Sequence, residues 1–302
     1  MKDEFSFIAS ITPKKTVQRS LLKGIGDDAA VYRSLAGMDE VVCVDTVVEN
    51  IHFRRSTSSP YFIGRKALAS NLSDLAAMGA QPSFYLVSIV VPATWTEDEI
   101  KAIFAGMASL ASEYDVDLIG GDTVSTSADA LVLTVTVIGR VEQMRALYRG
   151  NAKPGDVIFL TGAVGASAAG LKLLQEKGQN GAFSKEELDL VRVHQDPQPH
   201  VQQGRLLAKS GFRIATNDIS DGVASEAHEI AEASRVLLIL EEEALPLHDG
   251  MASFSKEERL HMALYGGEDY VIMGTVAIND VESLKNTFAE NELPFFTIGR
   301  VE

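Results

Sequence analysis

Acidic residues recur along the chain beside glycine, serine, threonine or asparagine, and most of them adjoin an apolar strand or helix. The set comprises Asp27 and Asp28 in GIGDDAAV, Asp45 in VDT, Asp74 in NLSD, Asp122 in GGDT, Asp218 and Asp221 in NDISDG, and Glu268 and Asp269 in GGED. Each one alone is explained as a turn or cap residue, because Asp and Gly are common turn formers. Together they require cationic partners, because carboxylates beside apolar elements are costly to bury unpaired. Mg²⁺ fits best, since it prefers oxygen ligands and joins carboxylates to substrate phosphates.

Glycine-rich stretches suggest two other phosphate sites. Gly24, Gly26 and Ala29 match a loose G-x-G-x-x-A pattern, which is typical of dinucleotide-binding sites. The preceding RSLLK is a poor strand, however, and two aspartates would face the pyrophosphate. We therefore reject a dinucleotide site here. The stretch TGAVGASAAG, residues 161–170, either binds phosphate at a helix N-terminus or is an ordinary tight turn. The chain has no P-loop pattern, and it lacks the cysteine ligands or His-x-x-x-His pair typical of zinc sites.

Strands and helices must position these acidic residues. Residues 41–48 and 83–91 are rich in β-branched side chains, which predicts two strands. Between them, apolar residues recur at helical spacing, so Asn71 and Asp74 are expected to present oxygen atoms from a largely apolar helix. Thr96 with Glu99 predicts a capping box at the start of a second helix.

The remaining pattern predicts a two-domain fold that mixes α+β and α/β character. The stretches DLIGGDT and ALVLTVTVIGRV alternate in polarity, which indicates a mostly antiparallel sheet with one covered face. The Gly/Pro stretch at residues 149–156 is typical of a linker, and it divides the chain into domains at 1–145 and 146–302. In the second part, strands are expected at VIFLTG, FRIATND, VLLILE, DYVIMGTV and PFFTIG, with helices between them, as in a layered α/β domain.

Composition narrows the class of protein. A chain of 302 residues with 46% hydrophobic residues is long and apolar enough for a globular core. Its formal charge of −15 disfavours binding to nucleic acid or to an anionic membrane. The longest uncharged apolar run, residues 82–95, is too short for a bilayer span, and the N-terminus does not read as a secretory signal. With Cys43 as the single cysteine, we expect a soluble cytoplasmic protein without disulfides.

Seven motifs in order resemble the thiamine-monophosphate kinase family, part of the superfamily that includes aminoimidazole ribonucleotide synthetase and selenophosphate synthetase. These motifs are GIGDDAAV, VDTVVENIHF, ALASNLSDLAAMGA, GGDT, RGNAKPGD, NDISDG and GGEDY, and the resemblance runs over residues 23–299. It implies a kinase that transfers a phosphoryl group from ATP to thiamine monophosphate with Mg²⁺. It further implies a homodimer that pairs through the N-terminal sheets, with ATP and metal ions in the cleft between the two domains.

The same resemblance implies roles for individual residues. The implied Mg²⁺ ligands are Asp27, Asp45, Asp74, Asp122, Asp218 and Asp221, with Cys43 and Val44 as positions where a backbone carbonyl could contact metal. The implied nucleotide contacts are Gly121, Asp122, Arg149 and Ser220, and the implied thiamine phosphate contacts are His52 and Glu268. No side chain is expected to act as a general acid or base, because the attacking phosphate oxygen is largely ionised near neutral pH, its second pKa being about 6.

Two alternatives remain open at this point. The first is another ATP-dependent synthetase or dehydratase of the same superfamily. Selenophosphate synthetases carry a reactive cysteine near the N-terminus, and the hydrogenase-maturation dehydratases carry a cysteine in their tail. The sequence has no counterpart of either cysteine. The second is a non-catalytic module that binds nucleotide or metal without turnover.

Overall fold

A four-stranded sheet organises the first part of the chain in the computed structural model, which describes residues 10–23 and 30–302. Its strands are β3 (Met38–Val48), β4 (Gln81–Pro92), β5 (Asp117–Thr126) and β6 (Val132–Glu142). The spatial order is β3-β6-β4-β5, and only the β4–β5 pair within this sheet is parallel. The prediction of a mostly antiparallel sheet is therefore confirmed.

A small hairpin precedes this sheet and corrects one detail of the sequence reading. Residues Leu21–Lys23 form strand β1, although RSLLK reads as a poor strand, and Val31–Tyr32 form β2. The two strands pair antiparallel and only seven residues separate them in the sequence. A dinucleotide-binding unit needs a helical crossover of a dozen or more residues to a parallel strand. The short antiparallel pair β1–β2 therefore does not form a dinucleotide-binding site.

Two helices cover one face of the first sheet. Helix α1 (Pro60–Ala77) begins with a proline, which a first helical turn tolerates because its N–H would lack a partner there. Helix α2 (Glu97–Glu113) begins with the predicted capping box: the Thr96 side chain accepts from the Glu99 N–H, and Glu99 accepts from the Thr96 N–H. Both boundaries are thus set by local residue chemistry.

The second part of the chain forms a five-stranded sheet whose neighbours are all antiparallel. Its strands are β7 (Asp156–Leu160), β8 (Ile214–Asp218), β9 (Leu238–Leu240), β10 (Ile272–Ala277) and β11 (Phe296–Val301). Their spatial order is β8-β10-β7-β11-β9. The helices are α3 (Ala166–Lys177), α4 (Lys185–Gln195), α5 (Val201–Ser210), α6 (Val223–Ser234), α7 (Lys256–Tyr265) and α8 (Val281–Glu290). The five expected strands are present with small shifts at their ends, and their order is a finding of the structure.

Helix α1 lies between the two parts and joins them. Its buried leucines belong to a hydrophobic cluster that also contains side chains from β8, β10 and α8. Two polar contacts fasten the same interface: the Thr216 hydroxyl donates to the Ala77 carbonyl over 2.7 Å, and the Arg205 guanidinium donates to the Gly79 carbonyl over 2.6 Å. The C-terminal half of α1 is therefore held against the edge strand β8, where the NDISDG motif begins.

The opposite face of the first sheet is uncovered in the single chain, as the polarity alternation predicts. Val42, Val44 and Val124 are 67%, 58% and 45% exposed on it. Thr46 and Thr134 meet on the same face, with their hydroxyl oxygens 2.9 Å apart. None of the helices in residues 10–23 and 30–302 combines the length and the hydropathy that a bilayer-spanning segment requires.

Candidate active site

Three of the implied metal ligands meet where α1, β3 and β8 converge. Asp218 ends β8 and is only 3% exposed, and its carboxylate accepts from the Ser73 hydroxyl over 2.7 Å. Asp74 lies on α1, and burial together with the charges of Asp218 and Asp45 raises the pKa of Asp74 to about 7. Burial also raises the pKa of Asp218 to about 6. The structure thus concentrates negative charge in a partly desolvated place, where a cation is the natural complement.

Asn71 has a different task from the one expected. Its side-chain oxygen accepts from the Asp45 N–H over 3.1 Å, and its side-chain nitrogen donates to the Ala67 carbonyl over 3.1 Å. Asn71 therefore ties α1 to β3 and fixes the position of Asp45. The carboxylate that α1 contributes to the cluster is that of Asp74.

The side chains of Cys43 and Val44 point in opposite directions. The Cys43 thiol donates to the Asn71 carbonyl over 3.3 Å, and the side chain packs against the core. Burial raises the pKa of the Cys43 thiol most, and the negative charges of Asp74 and Asp45 raise it further. Cys43 is thus a protonated, partly buried thiol, as its apolar strand position suggests. Val44 faces the uncovered side of the sheet. A metal contact at either position would have to use the backbone carbonyl.

Asp122 lies on the uncovered face of the sheet, away from the cluster of its own chain. The strand register aligns Asp122 with Ser88, Thr134 and Thr46, whereas Gly121 is aligned with Val87, Val135 and Asp45. Because side chains alternate between the two faces of a strand, Asp122 and Asp45 belong to opposite faces. One chain therefore brings together Asp45, Asp74 and Asp218 but not Asp122. Asp27 and Asp28 lie outside the described residues.

These carboxylates would supply only part of a metal's coordination shell. Within the part of the chain that the structure describes, no group of three or more His, Cys, Asp or Glu side chains is arranged to hold a metal ion on its own. Mg²⁺ bound with nucleotides commonly takes one or two carboxylates and completes its shell with phosphate oxygens and water. Asp45, Asp74 and Asp218 fit that kind of site, because their charges accumulate without a matching number of cations.

A buried glutamate organises the NDISDG loop next to this cluster. Glu226, in the first turn of α6, is 2% exposed and accepts from the Ser220 hydroxyl over 3.2 Å and the Asp221 N–H over 3.1 Å. It also accepts from the Asn217 side chain, which in turn accepts from Arg149 over 2.9 Å. Burial raises the pKa of Glu226 to about 7. The implied nucleotide contacts Arg149 and Ser220 are thus linked through Glu226 and Asn217. The sequence analysis did not identify these two linking residues. The available signal for Glu226 was its place as an acidic residue in the first turn of the helix that follows SDG.

A pocket beside the cluster contains both implied thiamine phosphate contacts. His52 and Glu268 line it together with Lys66 and His194, and the rest of the lining is Val47, Phe53, Thr57, Ser58, Ile63, Ala67 and Tyr270. The Lys66 ammonium donates to the Glu268 carboxylate over 2.5 Å. Sequence reasoning missed Lys66 and His194, and the available signal for Lys66 was a single lysine within the apolar run of α1.

The glycine-rich turn before α3 is already occupied by the protein's own carboxylate. Asp269 accepts from the Gly165 N–H over 2.6 Å and from the Ser167 N–H over 3.0 Å. It is 5% exposed, and burial raises its pKa to about 7. Of the two alternatives for this stretch, the structure therefore supports the tight turn, with Asp269 in the place that a phosphate would take.

The chain matches known family models over most of its length. The family model "AIR synthase related protein, N-terminal domain" matches residues 26–141, and "AIR synthase related protein, C-terminal domain" matches residues 153–302. The chain is 50% identical over 299 residues to a thiamine-monophosphate kinase of Bacillus subtilis strain 168, covering 99% of this chain and 91% of that protein.

The chain also aligns over most of its length with solved structures. The crystal structure of a thiamine-monophosphate kinase from Stenotrophomonas maltophilia K279a aligns with a TM-score of 0.87 at 32% identity, over 98% of this chain and 92% of that one. A structure described as AaThiL complexed with AMPPCP and TMP aligns with a TM-score of 0.79 at 29% identity, over 93% and 86% of the two chains.

Proposed function

Because this chain belongs to the thiamine-monophosphate kinases within the AIR synthase related family, we propose that it transfers the γ-phosphoryl group of ATP to thiamine monophosphate, yielding thiamine diphosphate and ADP. The observation that carries the proposal is the adjacency of two sites. Tyr270 lines the pocket of His52 and Glu268, and it also lies within electrostatic reach of Asp45, Asp74 and Asp218. A substrate ring in the pocket would thus place its phosphate toward the acidic cluster.

The chemistry required of the protein is mainly positioning and charge neutralisation. Mg²⁺, when bound, would neutralise the phosphates and hold them near the attacking oxygen. Asp45, Asp74 and Asp218 would hold it, with Asp27 and Asp221 as further proposed ligands. The acceptor phosphate is largely ionised near neutral pH, its second pKa being about 6, so no side chain has to remove a proton. Arg149 and Ser220, positioned through Asn217 and Glu226, are the proposed nucleotide contacts.

The proposal keeps the division of the chain at residues 1–145 and 146–302, with the cleft between the two parts. The two sheets with their separate sets of helices support that division. The cytoplasm is the proposed location, because the reaction uses ATP and the single cysteine, Cys43, forms no disulfide within the chain.

A direct product assay tests the kinase proposal. Purified protein with ATP, Mg²⁺ and thiamine monophosphate is expected to form thiamine diphosphate and ADP in equal amounts, and chelation of Mg²⁺ is expected to abolish the product. Thiamine and aminoimidazole ribonucleotide precursors, assayed side by side, serve as alternative substrates. Product from one of those alone would support another enzyme of the superfamily, and ATP binding without any product would support the non-catalytic module.

We further propose that two chains pair through the uncovered face of the first sheet. Val42 and Val44 expose contiguous apolar surface there, and exposed apolar patches of this kind are typical of interfaces. Asp122 shares this face, so dimerisation would bring it to the partner rather than to the cluster of its own chain.

Val44→Glu is expected to convert the proposed dimer to a monomer, because a carboxylate opposite an apolar sheet face loses its hydration without gaining a partner. Sedimentation velocity measures the mass of each species. Met144→Glu is the matched control, since Met144 is 96% exposed and follows the end of β6. A Val44→Glu protein that remains a dimer, or a wild type that is already a monomer, contradicts this interface.

A further inference from the structure

A lysine ammonium lies buried in the wall of the pocket. Lys66 is 8% exposed, and its Nζ atom lies 2.5 Å from Oε2 of Glu268, a residue 202 positions later in the sequence. Burial lowers the pKa of Lys66, while the charge of Glu268 opposes that shift. An unpaired ammonium would be very costly at this depth, so Lys66 and Glu268 have to be understood as a pair.

His194 completes the contacts of this pair. Its Nε2 atom lies 3.4 Å from Nζ of Lys66, and its Nδ1 atom lies 3.1 Å from the Ser167 hydroxyl and 3.5 Å from Oε2 of Glu268. Burial and the charge of Lys66 hold the pKa of His194 well below its usual range, so the ring is neutral. A neutral ring can accept at Nε2 and donate at Nδ1, which matches these neighbours.

The backbone of Glu268 is held in an unusual conformation. Glu268 has a φ of 69°, in the left-handed region that non-glycine residues rarely adopt. Its N–H donates to the Ser220 carbonyl over 2.8 Å, which fixes the main chain. Residues in such conformations persist where their surroundings hold them, and they are concentrated at functional sites.

The two oxygens of Glu268 are used differently. In the part of the chain that the structure describes, Lys66 and His194 both contact Oε2. Glu268 lines a pocket whose remaining wall is largely apolar, so Oε1 is the oxygen of this carboxylate that is available to a ligand there. A carboxylate oxygen in this setting suits an N–H donor or a fixed positive charge, and thiamine monophosphate carries both, in its aminopyrimidine and thiazolium rings.

We propose that Lys66 is a positioning residue that holds the Glu268 carboxylate by Oε2, so that Oε1 recognises the cationic ring system of the substrate. This inference rests on the proposed kinase function. Lys66 acts through Glu268 and needs no contact with ATP or with either phosphate. Its removal should therefore weaken the binding of thiamine monophosphate specifically.

The test is a double-mutant cycle with Lys66→Met, Glu268→Gln and the double variant. Lys66→Met is expected to raise KM for thiamine monophosphate about tenfold or more, because hydrogen bonds to charged groups are the stronger class, while KM for ATP stays within about twofold. The double variant is expected to be no worse than Glu268→Gln alone. The matched control is Lys172→Met, since Lys172 contacts Glu258 over 2.7 Å in a surface pair.

Binding of thiamine monophosphate without ATP, measured by calorimetry, separates the two proposals. A wild type that binds and turns over the substrate, with Lys66→Met unchanged, overturns only the role of Lys66. A wild type that binds without turnover overturns the kinase function, and the Kd values of the variants then decide the inference. A wild type that does neither overturns both.

The double variant keeps the inference testable if Lys66→Met does not fold. Lys66→Met leaves a buried carboxylate without its cation, which can unfold the chain, whereas Lys66→Met/Glu268→Gln leaves neither charge. If the single variant does not fold, the double variant is compared with Glu268→Gln by KM and by thermal melting. Equal KM values support the inference, and a further tenfold rise in the double variant overturns it.

Discussion

Asp74→Asn is expected to lower kcat for thiamine diphosphate formation by at least about a hundredfold while the protein stays folded, because electrostatic stabilisation of the transferring phosphoryl group is a large catalytic term. Asp74 projects from α1 into the cluster with Asp45 and Asp218, whose charges repel one another. Asparagine keeps the volume of the side chain and removes the charge. The loss should therefore appear in turnover and in Mg²⁺ dependence rather than in stability.

Steady-state rates at saturating ATP and varied Mg²⁺ measure this effect, and thermal melting reports the fold. Asp129→Asn is the matched control. Asp129 is an exposed residue between β5 and β6, so this substitution removes the same charge from the surface. Wild-type turnover combined with a lowered melting temperature for Asp74→Asn would identify Asp74 as a structural residue and refute its catalytic role.

Gly106→Val should destabilise the fold by about 3 kcal/mol or more, because overpacking against rigid backbone cannot be relieved by a change of rotamer. Helices α1 and α2 cross in close contact at two glycines. A Cβ atom on Gly106 would lie 1.9 Å from the Tyr61 carbonyl oxygen, and one on Gly64 would lie 1.9 Å from the Ile103 carbonyl oxygen. The added side chain would push α1 away from α2 and displace Asp74 with it.

Urea unfolding of the purified variant measures the change in the free energy of unfolding. Ala105→Val is the matched control, because it places the same β-branched side chain on the neighbouring, exposed position of α2. Comparable losses in the two variants would attribute the effect to helix propensity and contradict the close crossing. A large loss in Gly106→Val alone confirms it.

Local sequence chemistry was sufficient for most of the secondary structure. Strand β6 alternates between buried and partly exposed residues along its whole length, and β3 is rich in β-branched residues from Val41 to Val48, so both were recognisable. The capping box at Thr96 and Glu99 placed the start of α2 at the correct residue. One strand end differs from the prediction: DYVIMGTV was expected to form one strand, but β10 begins at Ile272, after Tyr270, whose φ of 53° is incompatible with an extended strand.

The candidate site was visible in the sequence as a set of motifs but not as an arrangement. Asp45, Asp74 and Asp218 were each recognised beside a predicted element, and the structure brings them together. Asp122 looked equivalent, yet the register of β5 assigns it to the opposite face of the sheet. A shift of one residue in a strand reverses the direction of every side chain, and pairing partners lie far apart in sequence, so this distinction required the fold.

Residue types and their spacing within a few turns were enough to recognise the family, the two mixed α and β parts and the recurring acidic residues. The pairing of groups that are distant in sequence became visible in the folded chain, where Lys66 contacts Glu268 across 202 positions and Asp269 contacts the start of α3 across about a hundred. Such pairs are formed because a buried charge or helix end must find a partner somewhere in the folded chain, and that partner carries no local signature. Asp27, which lies outside the described residues, stays a predicted metal ligand, and the convergence of Asp45, Asp74 and Asp218 supports that prediction.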